Sequence, residues 1–509
     1  MAKIKHNIAA NFAGGVWQAL MGLLFVPLYI KFMGMEAFGL IGVFATLQPI
    51  LNLMDMGISV TLNREMARLS ALPGSEQEMR DLSRSLEVIY WLIAVLMAVV
   101  LISLSSLIAN RWVNPGQLSA HTVERAIMIM GLVVAFQWPA GLYTGGLMGL
   151  QKQVLLNTIN AVVSTFKGAG AVLALWLIAP TVKVFFLWQL AVSVVNAAAL
   201  AWFFWRSLPA GDGARFRTEM LSRIWKFAAG MSGIAVLTTI LNQTDKIVLS
   251  KVLSLEAFGY YMLAWAVAMS LYRLVGPVFS AVSPKFTQLA AAHDLEGLKL
   301  IYHKSSQLVA ILTLPAAFVL AFFSYDVLLL WTHSAGTAKN ASLLLSLLIA
   351  GAGVNSLLYI PYALQLAYGW VKLGIYVNSA ALVVILPLIL AGVKYYGAAG
   401  GAAALLFLAA GNLVFSLQLM HRRLLPTEKW RWYLQDILVP LLAALASVGT
   451  VRLLAPAPEL GEPLLNAFFL ILAGLAGTAA VALSTPLGRE KIWNERAALK
   501  DWLFTLKEG

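Results

Sequence analysis

The sequence predicts an all-α integral membrane protein of about fourteen transmembrane helices, two parallel six-helix lobes followed by an extra C-terminal helix pair. Three observations predict it. Hydrophobic residues fill 60% of 509 positions and charged residues only 12%, a balance no soluble domain of this size tolerates. The apolar runs reach about 20 residues, enough to cross a hydrocarbon core of roughly 30 Å as helix. The string Lys31-Phe-Met-Gly-Met-Glu-Ala-Phe-Gly39 returns as Lys251-Val-Leu-Ser-Leu-Glu-Ala-Phe-Gly259, six apolar segments later. An even number of crossings brings the chain back to the same side, so the halves repeat without inversion. Parallel repeats about an axis along the membrane normal are a standard transporter plan. A carrier is therefore the first function class.

Taken in order, the apolar runs lie near 8–32, 37–60, 87–109, 122–148, 154–178 and 182–206, the N-terminal lobe 1–206. A polar stretch with the Pro and Gly content of a boundary loop follows and is read as a cytoplasmic linker, 207–222. Runs near 223–250, 256–282, 303–323, 340–366, 372–392 and 397–421 make the second lobe, 223–425. The last two, 435–454 and 464–486, have no counterpart in the repeat; with a cytoplasmic tail they make up 426–509. Strands of a β-barrel would be half as long and alternate strictly, which excludes that class.

No short apolar core with a small-residue cleavage site opens the chain, so no removable signal peptide is expected. With zero cysteines there are no disulfides or thiolate metal sites. The net charge of +13 invites a nucleic-acid reading, but its distribution argues for lipid. With the N-terminus inside, most Lys and Arg fall on cytoplasmic segments; the outer loops hold Lys31, Arg111, Arg125, Lys183, Lys251, Lys339, Lys394 and Arg452. That is the positive-inside bias, so both termini are expected in the cytoplasm and the basic charge meets anionic lipid rather than nucleic acid. No phosphate-loop motif occurs, which excludes ATP hydrolysis of that type. The outer loops near 110–121 and 324–339 are too short for a catalytic domain and offer only Asp326, His333, His121 and Glu124. An enzyme is not expected, nor a metal site.

Polar side chains recur at helical spacing: Asn7, Asn11 and Gln18 in the first span, Gln137, Thr144 and Gln151 in the fourth. Asn157, Asn160, Ser164 and Lys167 stripe the fifth, and Asn355, Tyr359, Tyr362 and Gln365 the tenth. Each stripe alone reads as interhelical packing chemistry. Several stripes over both lobes point to a shared hydrated cavity. Charges weigh more, because a Lys or Asp at a span centre costs about 2.5–3.5 kcal/mol on insertion scales. Lys167, Asp245, Lys246 and Arg273 stand well inside, Asp55 in the inner half of the second span, and Arg64 near its cytoplasmic end. Lys167 and Arg273 have no acidic neighbour in sequence and are expected to line the path. Asp245 and Lys246, side by side, point about 100° apart and do not easily satisfy each other, so one is expected to bond a neighbouring helix while the other lines the path. Asp245 reads equally as a member of a buried structural ion pair or as a cavity group, and Arg64 more as a topology or interface residue than a ligand. The modest cationic excess suits a phosphate or diphosphate. A carbohydrate headgroup would add contacts to amides such as Asn160 and Asn242 and to flat Trp and Tyr faces.

These residues resemble the polysaccharide flippases (Wzx type) of the multidrug/oligosaccharidyl-lipid/polysaccharide exporter superfamily. The strings that carry the likeness are Lys31 to Gly39, Asp55-Met-Gly-Ile-Ser-Val-Thr-Leu-Asn-Arg64-Glu-Met-Ala-Arg68, and Asn242-Gln-Thr-Asp-Lys246 through Glu256-Ala-Phe-Gly-Tyr-Tyr261. The resemblance spans about the first 420 residues. It implies two lobes in a V shape that open alternately, and undecaprenyl-diphosphate-linked oligosaccharide (an O-antigen or exopolysaccharide repeat unit) moved from the inner to the outer leaflet of the bacterial plasma membrane. A polysaccharide polymerase and a chain-length regulator are implied partners beside membrane lipids, and the last two spans are implied to form a groove for the lipid tail. Arg273, Lys167, Lys246, Arg64, Asn160 and Asn242 are the expected substrate contacts. Asp245 and Asp55 are the acids expected for H⁺ or Na⁺ coupling or for organising the site, with no other cofactor. Related proton-coupled drug exporters carry an aspartate in the first span and lipid II flippases several arginines in the first two. Residues 8–32 hold neither an acid nor an arginine, so those two functions rank second.

Overall fold

The computed structural model describes residues 2–458 and 462–491, with side chains throughout except 2–10, 12, 221–235 and 371. The tail beyond 491 and the side chain of Asn7 lie outside the described residues. No strand occurs among the described residues beyond an isolated bridge between Asn114 and Ser254. The chain packs as two compact units, Met1–Gly259 and Tyr260–Gly509.

In the first unit, α1 (Ala2–Leu24), α2 (Val26–Met33) and α3 (Met35–Asn52) are followed by α4 (Ile58–Leu69), α5 (Glu76–Leu107) and α6 (Ala120–Gly149). Then come α7 (Gln153–Leu177), α8 (Val182–Ser207) and α9 (Thr218–Val252). Side chains at the loop ends start these helices: Ser119 accepts the Thr122 N–H at 3.2 Å and Thr181 that of Val184 at 3.4 Å. The second expected span is not continuous. A single 3₁₀ turn, Leu53–Asp55, leads to Met56 and Gly57, both left-handed, before α4 begins. Residues 58–69 therefore form a separate amphipathic helix rather than the end of a span.

The linker does not hang free. Asp81 on α5 accepts the backbone N–H of Arg215 at 2.9 Å and pairs with the Arg217 guanidinium at 2.8 Å. Arg80 donates to the Pro209 carbonyl. This strap leads into α9, which packs on α3, α4 and α5, so the packing boundary follows α9.

The two copies of the repeated string meet inside this unit. A Cβ added to Gly39 would lie 2.0 Å from the Leu255 carbonyl oxygen, and one added to Gly259 would lie 2.5 Å from that of Met35. The contacts are reciprocal: 39 against 255 in one direction, 259 against 35 in the other. A local two-fold relation between helix starts requires that pattern. The loop after α5 braces it, with Glu36 accepting the backbone N–H groups of Gly116, Gln117 and Leu118, and Asn114 donating to the Lys251 carbonyl at 2.7 Å.

The second unit runs from α10 (Leu255–Met269, begun in the first) through α11 (Tyr272–Ala291), α12 (Leu295–Phe322), α13 (Ser324–Thr332), α14 (Ala335–Leu357) and α15 (Tyr359–Ala367). It ends with α16 (Val371–Leu424), a single turn α17 (Lys429–Arg431), α18 (Val439–Leu454) and α19 (Pro463–Ser484). Asp294 caps α12 through the Gly297 N–H at 2.9 Å, and Ser334 caps α14. Helix α16 reverses at Gly397, whose φ of 56° and ψ of −140° no helix contains. Residues eight apart in a straight helix stand about 12 Å apart, yet a Cβ on Gly400 would lie 1.9 Å from the Gly392 oxygen. Its legs, 371–396 and 398–424, are the two expected spans 372–392 and 397–421.

Twelve segments of the described residues are long and apolar enough to cross a membrane, against the fourteen expected. The difference has two sources. The Gly397 hairpin is continuous as one 53-residue segment, and the expected span 223–250 falls on α9, much of whose side-chain description is lacking. In the second unit α18 and α19 pack on each other and on α12, around a core holding Tyr302, Phe286 and Trp432.

Candidate functional site

In the first unit most intramembrane polar groups find partners. Across α1 and α7, Asn157 donates to Asn11 at 2.5 Å and Trp17 to Thr165 at 2.9 Å. Gln48 on α3 donates to Gln137 on α6 at 2.6 Å, and Gln137 to Ser193 on α8 at 3.1 Å. This is the amide chemistry that holds membrane helices together. Asn160 is half-buried, and no hydrogen bond engages its amide among the described residues. Lys167 is half-buried on α7. Its carbonyl accepts from Gln189 on α8 at 3.3 Å, but no described side chain pairs with its ammonium.

Asp55 stands at the break after α3. Its carboxylate accepts the Ser59 N–H at 3.2 Å, the Ser59 hydroxyl at 2.8 Å and the hydroxyl of buried Tyr90. It thus satisfies the start of α4 while staying partly accessible. Arg64, on α4, is exposed.

Asp245 and Lys246 do pair with each other, although adjacent positions on a helix point apart. Lys246 Nζ lies 3.1 Å from Asp245 Oδ1 and donates to the Asn242 carbonyl at 2.6 Å. The four-carbon stem folds back along the helix, spanning the angular gap that the backbone imposes. Both side chains are almost wholly buried, a setting in which an unpaired charge would cost several kcal/mol. Asn242 itself is exposed.

In the second unit, Arg273 is exposed one residue into α11, and no described side chain forms an ion pair with it. Asn355 donates to the Tyr272 hydroxyl at 3.1 Å, and Tyr272 stacks on Tyr359. The structure thus separates the expected contacts into exposed Arg64, Asn242 and Arg273, half-buried Lys167 and Asn160, and a closed Asp245–Lys246 pair.

A family model described as polysaccharide biosynthesis protein matches residues 4–290, more than half of the chain. The chain belongs to that family. A second model, MatE, matches residues 231–390. Among curated relatives, the uncharacterized membrane protein EpsK of Bacillus subtilis (strain 168) is 23% identical over 460 residues, covering 87% of each chain. Among solved structures, the lipid II flippase MurJ in an inward closed conformation superposes with a TM-score of 0.72 at 13% identity, over 93% of this chain and 98% of that one. An inward-facing multidrug resistance MATE family transporter gives 0.66 at 13% identity, over 81% and 96%. At such identities the likeness is one of fold. This member of the polysaccharide biosynthesis protein family is a multi-pass membrane protein with the fold of the lipid II flippase and the MATE transporter.

The chain also holds buried acids that sequence reasoning missed. Glu87 on α5 accepts from Tyr143 at 2.7 Å and Trp205 at 3.0 Å and pairs with Arg84 at 2.8 Å. Asp436, fully buried in the π-helical turns before α18, faces His303 Nδ1 and accepts from Gln307 at 2.7 Å. The other ring nitrogen, Nε2, lies 3.0 Å from Glu428. A carboxylate thus faces each nitrogen of the His303 ring. Gln307 in turn accepts the Leu487 N–H at 2.9 Å, fastening the end of the C-terminal pair. No group of three or more metal-binding side chains occurs among the described residues.

Glu428 lies outside the spans, and its titration has a stability consequence. Burial pushes its carboxyl up, but the Thr427 hydroxyl, His303 and nearby Lys299 outweigh this and hold it below the usual carboxylate range. A carboxyl depressed in the folded state stabilises above its ordinary range, and that contribution is lost as pH falls through the folded value. The melting temperature is therefore expected to fall as pH drops below the ordinary carboxylate range. Glu428→Gln should flatten that acid limb in a thermal scan across pH; an unchanged limb would contradict the assignment.

Proposed function

We propose that this transporter is a Wzx-type flippase. It moves undecaprenyl-diphosphate-linked oligosaccharide, an O-antigen or exopolysaccharide repeat unit, from the inner to the outer leaflet of the bacterial plasma membrane by alternating access. The observation that carries the reading is Lys167, a half-buried ammonium with no described counter-charge in a unit whose other intramembrane polar groups are mostly paired. Such a cation inside an apolar span needs water or an anion, and a diphosphate supplies the anion. Arg273 offers a second cation of the same kind in the other unit. A headgroup of many hydroxyls needs a wet passage, since each hydroxyl taken into hydrocarbon without a partner costs several kcal/mol. The lipid tail stays in the bilayer.

On this reading each unit offers its own contacts, Lys167, Asn160, Asn242 and Arg64 in the first and Arg273 in the second, with both termini in the cytoplasm. Lys246 is committed to Asp245 and organises the site rather than binding first. Asp55, partly accessible at its helix break, is the proposed H⁺ or Na⁺ coupling acid. A polymerase and a chain-length regulator would receive the flipped unit.

The test is transport of a defined undecaprenyl-diphosphate-linked glycan by the protein reconstituted in vesicles. Lys167→Ala and Arg273→Ala should remain inserted yet each lose about tenfold or more in apparent affinity, the loss expected for a charge-assisted contact. Transport at the native level by both variants would refute the assignment.

A further inference from the structure

Two broken helices of the second unit meet at one place. The segment 255–291 breaks between α10 and α11 at Ser270–Leu271, and the segment 335–367 breaks between α14 and α15 at Leu358. Irregular backbone at membrane depth is tolerated where protein buries it or water reaches it. Here the two breaks are joined: Asn355, just before one, donates to the hydroxyl of Tyr272, just after the other, at 3.1 Å.

A ladder of rings starts from this junction. Tyr272 and Tyr359 stack with centroids 5.7 Å apart and planes 30° from parallel. Phe279, two turns further along α11, meets Tyr359 edge-on at 6.0 Å and lies 16° from parallel with Tyr362 at 6.3 Å. Tyr362 is 44% exposed. Neither Tyr359 nor Tyr362 has a hydrogen bond on its hydroxyl among the described residues. Tyrosines committed to packing normally satisfy that hydroxyl, and lipid chains offer nothing to it. Arg273 follows Tyr272 directly and is exposed.

We infer that this ladder is the platform on which the transporter receives a sugar ring of its substrate. A pyranose has an apolar C–H face and a rim of hydroxyls. The ring faces take the first, the free tyrosine hydroxyls and the Asn355 amide meet the second, and Arg273 stands where a linked diphosphate needs a cation. The inference deepens the substrate class proposed above and rests on it.

The experiment uses the full-length protein in lipid nanodiscs and two probes: undecaprenyl diphosphate, and the same lipid diphosphate bearing one N-acetylhexosamine. The native protein is expected to bind the sugar-bearing probe about three- to tenfold more tightly, the range of one or two aromatic contacts. Tyr359→Leu should abolish that preference, Tyr359→Phe should retain part of it, and Tyr362→Leu, at an exposed position that cannot unfold the core, should reduce it. Equal loss on both probes assigns the ladder to packing and overturns the inference. Binding of both probes by the native protein without discrimination overturns the inference alone; binding of neither overturns the substrate reading and the inference with it.

Discussion

Asp436→Ala is expected to cost about 2–6 kcal/mol of stability, since it leaves two buried hydrogen-bonding side chains unsatisfied at about 1–3 kcal/mol each. The reason lies in what stays behind. His303 keeps Glu428 on Nε2 but loses the acceptor on Nδ1, and Gln307 loses the acceptor for its amide. Both are nearly inaccessible to water, so neither recovers its bond there. The affected residues lie on α12 and on the turns entering α18, so the C-terminal pair should loosen first. Trp432 reports on this directly: it is fully buried beside Asp436's turn, and its indole N–H donates to Ser306 at 3.0 Å. A red-shifted Trp432 emission and a lowered melting temperature are the expected readouts. The double variant H303F/D436L should lose less than the sum of its single changes, because removing both partners leaves neither facing an empty place. Strict additivity would mean that the two side chains do not interact as the geometry implies.

Gly39→Ala is the second large effect, expected at about 3 kcal/mol, the upper end of overpacking costs. The atoms in the way are backbone: the Leu255 carbonyl oxygen at 2.0 Å and its carbon at 2.9 Å. A flexible side chain would swing aside, whereas a carbonyl in the first turn of a helix moves only with the helix. Gly259→Ala should be milder, since its nearest obstacle lies 2.5 Å away and two of the three are atoms of the Met35 side chain. Gly15→Ala is the control, because nothing lies within 4 Å of its added carbon. Detergent-solubilised melting of the three variants should rank Gly39 below Gly259 and Gly259 below Gly15; any other order rejects the close approach.

Apolar length and the repeated string made most of the fold legible, because hydrocarbon thickness imposes a length that nothing local overrides. The Gly397 reversal was legible for the same reason: a 53-residue apolar helix cannot be one crossing. The break at Asp55 was only half legible. A glycine at 57 accommodates the left-handed turn, but a left-handed Met56 next to it has no sequence signature. At the site, the Asp245–Lys246 pair was misjudged because helical geometry fixes where Cβ points and not where a long side chain ends. Glu87, His303 and Asp436 were overlooked for one shared reason. Each stands at or beside the edge of an apolar run, where composition reads as loop, although α5 begins at Glu76 and α12 at Leu295, well before those runs. Arg452 likewise read as a free outer charge, yet it holds buried Asp326 at 3.1 Å. Partners more than a hundred positions away leave no periodicity behind.

The mutual approach of the duplicated strings also bears on how the protein can change under selection. When a side chain obstructs a side chain, a second substitution can trim the obstacle and restore fitness. Here each glycine confronts a peptide oxygen, and no codon encodes a smaller carbonyl. A genetic screen for suppressors of a Gly39 lesion should therefore return true revertants at that codon, with residues 255 and 35 absent from the recovered set.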